Sequence, residues 1–152
     1  VDNLSEQFFK ALDQYQVEGL SLKWPSHSFS ELKMSVAGVQ VGKSISFILP
    51  CNPLYQDCMG FLHPGYLSFA FNEAFYCFAF SIANRPCIPI QTNFSLINPI
   101  PITSSALTIE ISISAKSRKL LLLTGKAKNY REKVHALANA IVTPYSVSNS
   151  SE

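Results

Sequence analysis

The stretch GYLSFAFNEAFYCFAFSIANRP, residues 65–86, decides the fold. From Gly65 to Ala83 it is apolar nearly all the way round a helical projection, interrupted chiefly by Asn72 and Glu73. A helix that is apolar on most faces is buried on most faces. Phe69, Phe71, Phe75, Tyr76, Phe78 and Phe80 would also suit a strand, but roughly twenty residues without a turn signal far exceed a buried strand of about 4–8. Gly65 ahead of the stretch, with Asn84 and Pro86 behind it, is the punctuation of a helix start and stop. The stretch reads as a long central helix. It falls short of the roughly 18 uninterrupted apolar residues of a membrane span.

Upstream, Leu4, Phe8, Phe9, Leu12 and Tyr15 recur at helical spacing, with Asn3 or Ser5 available as a cap. Gly19–Trp24 reads as a short strand and Pro25–Ser30 as a loop. From Glu31 to Leu49 the pattern alternates: Leu32, Met34 and Val36, then Val39 and Val41, then Ile45, Phe47 and Leu49, with Gly38 and Gly42 at bends. Pro50–Leu62 is irregular. Downstream, four strands are expected over 88–97, 106–114, 120–129 and 134–142, the last three linked as an antiparallel meander. The economical packing is an α+β domain in which one curved antiparallel sheet wraps one buried helix. So small a sheet leaves an open edge, and edge-to-edge dimerisation is its usual remedy.

A chain of 152 residues is about one domain, expected here over 1–145, with 1–30 as an N-terminal helix and loop and a disordered polar tail from Ser146. The charged fraction of 14% is well below the usual quarter or so, which fits a surface partly hidden in an oligomer. A net charge of +2 without a basic stripe argues against nucleic acid as a partner. Cys51, Cys58, Cys77 and Cys87 have neither C-x-x-C spacing nor a His cluster, so no metal site is expected and the thiols read as reduced. No secretory signal is visible, which makes the cytoplasm the default location.

The run Asp57-Cys-Met-Gly-Phe-Leu-His63-Pro-Gly65, followed by a helix carrying Asn72-Glu73, resembles the hotdog-fold thioesterases of the phenylacetate-pathway type. In that family an Asn or similar residue precedes a Gly-x-Leu-His-Gly-Gly run. An Asp or Glu then stands on the helix nine residues past the His. Thr92–Pro99 is similar to the family's strand that ends in proline, and the likeness extends over roughly Ser35 to Pro144. It implies hydrolysis of an acyl-CoA thioester, with coenzyme A arriving as part of the substrate and no separate cofactor. It also implies a homodimer, often doubled to a homotetramer, with the site at the dimer seam.

On the residues that match, the backbone N–H of Gly65 would polarise the thioester carbonyl, since first-turn amides lack partners within the helix. Pro64, in place of the family's first glycine, sacrifices only its own N–H. The alternative is that Gly65 simply lets a loop turn into a helix. His63, with no acid or nucleophile at triad spacing, fits a structural role better than an acid–base one. The acid and the amide are exchanged relative to the family: Asn72 stands nine residues after His63, and Asp57 six before it. Three readings stay open. Asp57 is the general base with Asn72 orienting water or carbonyl, or Glu73 takes that role through a local helix adjustment, or no base survives. A Ser or Thr that the family carries in the strand after the helix falls on or near Pro89, which cannot donate a hydrogen bond. Lys116, Arg118 and Lys119 are candidates for the coenzyme A phosphates. The competing non-enzyme reading is a degenerate hotdog protein that binds acyl groups or acyl-CoA without turnover. A hydratase reading of Asn52-Pro53 fails because Tyr55 stands where a His is needed.

Overall fold

The computed structural model describes residues 3–15 and 17–146. The tail expected to be disordered lies, beyond Ser146, outside the described residues. Two helices lead the chain, α1 (Asn3–Asp13) and α2 (His27–Glu31), followed by the hairpin β1 (Ser35–Gln40) and β2 (Ser44–Pro50). A single 3-10 turn (Pro53–Tyr55) precedes the long helix α3 (Pro64–Ala83). Then come β3 (Cys87–Leu96), β4 (Ala106–Lys116), β5 (Leu121–Lys128) and β6 (Val134–Pro144).

The strands form one six-stranded antiparallel sheet in the order β1-β2-β4-β5-β6-β3. The chain leaves β2, runs through α3, and re-enters the sheet at the far edge as β3. One helix thus bridges the whole sheet, and the expected meander is β4-β5-β6. Strand periodicity then sets the core. Ile45, Phe47 and Leu49 of β2, Leu107, Ile109 and Ile111 of β4, and Leu121, Leu123 and Ala127 of β5 are buried toward α3. From the helix come Leu67, Phe71, Phe75, Phe78 and Phe80, each almost wholly enclosed. Burying a side chain of this size contributes about 1.5–3 kcal/mol, so these five dominate the packing of helix on sheet. Gly125 of β5 is part of the fit. A Cβ there would lie 2.8 Å from the Phe71 ring and from Ile111 Cδ1, so any side chain would push helix and sheet apart.

α3 starts and stops as its punctuation predicts. His63 is the N-cap with Pro64 in the first turn, while Asn84 closes the helix in the left-handed conformation at φ 53° and donates its N–H to the Phe80 carbonyl. Pro89 falls at a bulge of β3, an edge strand, where a missing donor costs least.

Three local expectations are corrected. Residues 19–24 join no strand and run as irregular chain from a turn at Gly19 to a bend at Trp24, which turns inward to stack on Phe9 (centroids 6.3 Å apart) and meet Phe80 edge-on (5.2 Å). The loop expected at Pro25–Ser30 contains α2, nucleated by Ser26, whose hydroxyl oxygen accepts the Phe29 N–H. Leu32 is the C-cap of that helix, and Val41 lies in the β1–β2 turn, 92% exposed, so neither continues an alternating strand.

Candidate functional site at the start of the central helix

The 57–62 segment is a small hairpin-like loop that delivers the chain to α3. The Leu62 N–H bonds to the Ile100 carbonyl at 2.8 Å and the His63 N–H to the Tyr55 carbonyl at 2.7 Å. Tyr55 stacks on Tyr66 of the first helical turn, centroids 4.5 Å apart, and Tyr66 donates its hydroxyl to the Pro50 carbonyl. Burial, with Cys51 and Tyr55 adding to it, pushes the Tyr66 hydroxyl up to about 12, so it stays a donor. Burial likewise raises the Cys51 thiol, which removes it as a ready nucleophile.

His63 and Gly65 are both exposed, and they are joined. The Gly65 N–H donates to His63 Nδ1 at 2.9 Å, and the Tyr66 N–H donates to the His63 carbonyl at 3.0 Å. The imidazole therefore serves as a side-chain cap of α3. A Cβ at 65 would stand 3.0 Å from Nδ1 and 3.1 Å from Cε1, so a side chain there would make the ring shift by a few tenths of an ångström. The amide aimed out of the helix start is thus covered by a ring that can rotate on an exposed surface.

Asp57 also has a local task. Its Oδ1 accepts the N–H groups of Met59 (2.8 Å) and Phe61 (2.9 Å), which closes the loop around Gly60 at φ 85°. Oδ2 makes no hydrogen bond among the described residues. Asn72 folds back on its own helix, Nδ2 donating to the Ser68 carbonyl at 3.0 Å. It shares one uncovered stripe of α3 with Gly65, Phe69 and Tyr76, at helical spacing. Glu73 faces elsewhere: Ser26 Oγ donates to its Oε2 at 2.6 Å, pinning α2 against α3. Ser26 is the partner that sequence reasoning missed, and a Ser three residues ahead of Phe29 was its available signal as a helix cap.

Lys116, Arg118 and Lys119 lie at the opposite end of the sheet from Gly65. Register fixes this. Ala106 pairs with Pro50, beside Tyr66, whereas Lys116 pairs with Leu121 at the other end of β4. Arg85, just past the C-cap of α3, reaches the Arg118 carbonyl through Nη2 at 3.5 Å. Among the described residues no cluster of His, Cys, Asp and Glu could hold a metal ion, and no helix is long and apolar enough to cross a membrane.

No family model matches the chain, and no curated protein matches it. Solved structures do. The PaaI protein of the phenylacetic acid degradation operon of E. coli superposes with a TM-score of 0.76 at 13% identity, covering 95% of this chain and 97% of that one. A thioesterase from Haemophilus influenzae gives 0.70 at 14% identity, covering 84% and 89%. A Streptococcus mutans protein bound to acetyl-CoA gives 0.68 at 11% identity, covering 86% and 96%. Six antiparallel strands in this order, curved around one long helix and matched over nearly the whole length of such structures, make this chain a hotdog fold.

Proposed function

We propose that the protein hydrolyses acyl-CoA thioesters, with the exposed first turn of α3 as the oxyanion site. One observation carries the reading: the Gly65 amide is held by a movable, exposed side chain rather than by backbone. When the His63 ring rotates aside, that N–H and the positive end of the α3 dipole face an incoming carbonyl. Asp57, through Oδ2, takes a proton from water as the water oxygen bonds to the acyl carbon. The C–O⁻ of the tetrahedral adduct rests on Gly65. Collapse breaks the C–S bond, and the proton passes from Asp57 to the departing coenzyme A sulfur. Asn72, on the Gly65 stripe, orients the water or the acyl group. The thioesterase and acetyl-CoA-bound relatives of the same fold support this chemistry.

The working unit in this reading is a homodimer joined through β3. That strand is an open edge, Ile90 (59%) and Leu96 (38%) are exposed along it and Ile97 (52%) just past its end, and Phe69 (44%) and Tyr76 (38%) are exposed on α3. Two-fold antiparallel pairing of β3 with its copy sets the Cys87 end of one strand beside the Leu96 end of the other. It thereby carries the Arg118 end of one protomer toward the partner's Gly65. Doubling to a tetramer is compatible with this arrangement. Release of thiol from a panel of short, long and aromatic acyl-CoA substrates tests the reading.

A second reading is acyl-CoA binding without turnover. The partners already held by Gly65, Tyr66, Asp57 Oδ1 and Glu73, and the amide at position 72, favour it. Binding of a thioester that survives days of incubation with folded dimer would select it.

A further inference from the structure

The N-terminal helix has two apolar faces. Phe9 and Leu12 are buried in the core, whereas Leu4, Phe8 and Tyr15 recur at helical spacing on a neighbouring face that the core does not enclose. That second face forms one wall of a cleft of about 350 Å³. Phe78 and Ile82 of α3 also line it, as do Val39 and Val41 at the β1–β2 turn. The walls are braced by the fold. Ser5 Oγ accepts the Val36 N–H at 2.7 Å, which holds α1 against β1, and the Tyr15 ring meets Phe80 edge-on at 6.2 Å.

Charge and dimensions say what fits. Among the described residues, no Asp, Glu, Lys, Arg or His lines this cleft. The cleft on the other side of α1 differs, carrying Glu6, Lys10 and Asp13. The polar side chains here are partly engaged already: Gln7 Nε2 donates to Asn3 Oδ1 at 3.0 Å, and Ser81 Oγ donates to the Phe78 carbonyl at 2.7 Å. Charge complementarity therefore selects an uncharged, apolar occupant, and an apolar cleft of this size with a few polar groups is the usual form of a small-ligand site. At about 1.5 Å per residue, α1 rises about 12 Å from Leu4 to Leu12, and Tyr15 extends the cleft to on the order of 15 Å. The volume spread over that length leaves a cross-section of roughly 20 Å², close to one extended aliphatic chain and far less than a helix about 10 Å across. β1 and β3 are opposite edges of the sheet, so pairing through β3 leaves this cleft open.

We propose that this cleft binds the hydrocarbon chain of a straight-chain fatty acid, with the head group in water beyond the apolar walls. The site lies apart from Gly65, since Phe78 and Ile82 belong to the C-terminal half of α3, and it does not depend on thioester hydrolysis.

The test is calorimetric titration of the full chain with octanoate, decanoate and dodecanoate, each below its micelle concentration, and with 1-dodecanol. Affinity is expected to rise roughly tenfold for every two methylenes added, and the alcohol is expected to bind as the acid of its length does. Ala11→Glu, at an exposed position of α1 that lines the cleft, and Val41→Asp, at the turn tip, should each weaken dodecanoate at least about tenfold. Both should leave acyl-CoA turnover unchanged. Binding that is absent, independent of chain length, dependent on the carboxylate, or equal in wild type and both variants overturns the proposal. So does dodecanoate binding lost in Phe69→Glu instead, which would put the chain on the Gly65 stripe. Wild type that assembles beyond the dimer, reversed by Val41→Asp, would fill the cleft with a second copy and overturn it too. Chain binding in a protein without turnover would uphold the cleft and refute the enzyme; turnover without chain binding at the cleft would do the reverse.

Discussion

The amide N–H of Gly65 donates to Nδ1 of His63 at 2.9 Å, so the residue that caps the central helix also covers its most exposed first-turn donor. A cap and an oxyanion donor compete for one hydrogen atom, so the proposed hydrolysis requires the ring to give way.

His63→Ala removes the cap and uncovers the amide. A lost side-chain cap costs roughly 1 kcal/mol, so chemical denaturation should show a shift of that size. Turnover should hold or rise. A folded variant without turnover would mean the imidazole takes part in the chemistry itself.

Ser26 and Glu73 form a structural pair across 2.6 Å, joining α2 to the middle of α3. Hydrogen bonds to charged groups contribute about 1.5–3 kcal/mol, and partial exposure places this one at or below the lower figure. A double-mutant cycle with Ser26→Ala and Glu73→Gln should give a coupling above about 0.5 kcal/mol, while both single variants retain turnover. Loss of turnover in Glu73→Gln alone would move the base to Glu73.

The four thiols divide by burial. Cys58 is exposed at the loop tip, whereas Cys77 and Cys87 are enclosed. Burial, with Glu73 adding to it, raises Cys77; burial raises Cys87 to about 11 despite the opposing pull of Arg85. Both values are raised in the folded state, so their contribution is complete below the unfolded thiol value near about 8.5. For Cys87 it is lost as pH climbs from there toward about 11, at up to about 1.4 kcal/mol per pH unit, and Cys77 loses its own in the same direction. Denaturation midpoints should therefore fall between those pH values, and the fall should lessen in Cys87→Ala. In the native protein at neutral pH, a thiol reagent should label Cys58 fastest and reach Cys77 and Cys87 only on unfolding.

The open β3 edge gives a prediction about assembly. Phe69→Glu combined with Ile90→Lys places charges on two apolar positions of the uncovered face. Light scattering should show dimer for the wild type and monomer for the variant, with thioester turnover lost alongside. An unchanged mass would put any interface elsewhere.

The sheet-and-helix plan was legible because its signals are periodic. Residues 65–83 allow only a buried helix, and Ile109, Ile111, Leu121 and Leu123 alternate cleanly. Residues 19–24 were misread because Trp24 is placed by tertiary packing on Phe9 and Phe80, which no local pattern encodes, whereas the start of α2 at Ser26 had a local cap signal that went unused. Of the candidate site's geometry, only helical spacing was open to sequence reasoning. Spacing separated Glu73 from Asn72 by a helical step. Sequence could not show that His63 seats its ring on Gly65, that Asp57 braces its own loop, or that Arg118 and Gly65 sit at opposite ends of the sheet. Those facts depend on rotamers and on strand register, both fixed by the assembled core.

The most direct test of the central claim is single-turnover acyl-CoA hydrolysis by wild type and Asp57→Asn. General-base catalysis contributes about 10²–10⁴-fold, so the variant should lose at least about a hundredfold while keeping its fold, because the amide oxygen of Asn still accepts from Met59 and Phe61. Equal rates in both proteins, or no hydrolysis by a folded wild-type dimer, would contradict it.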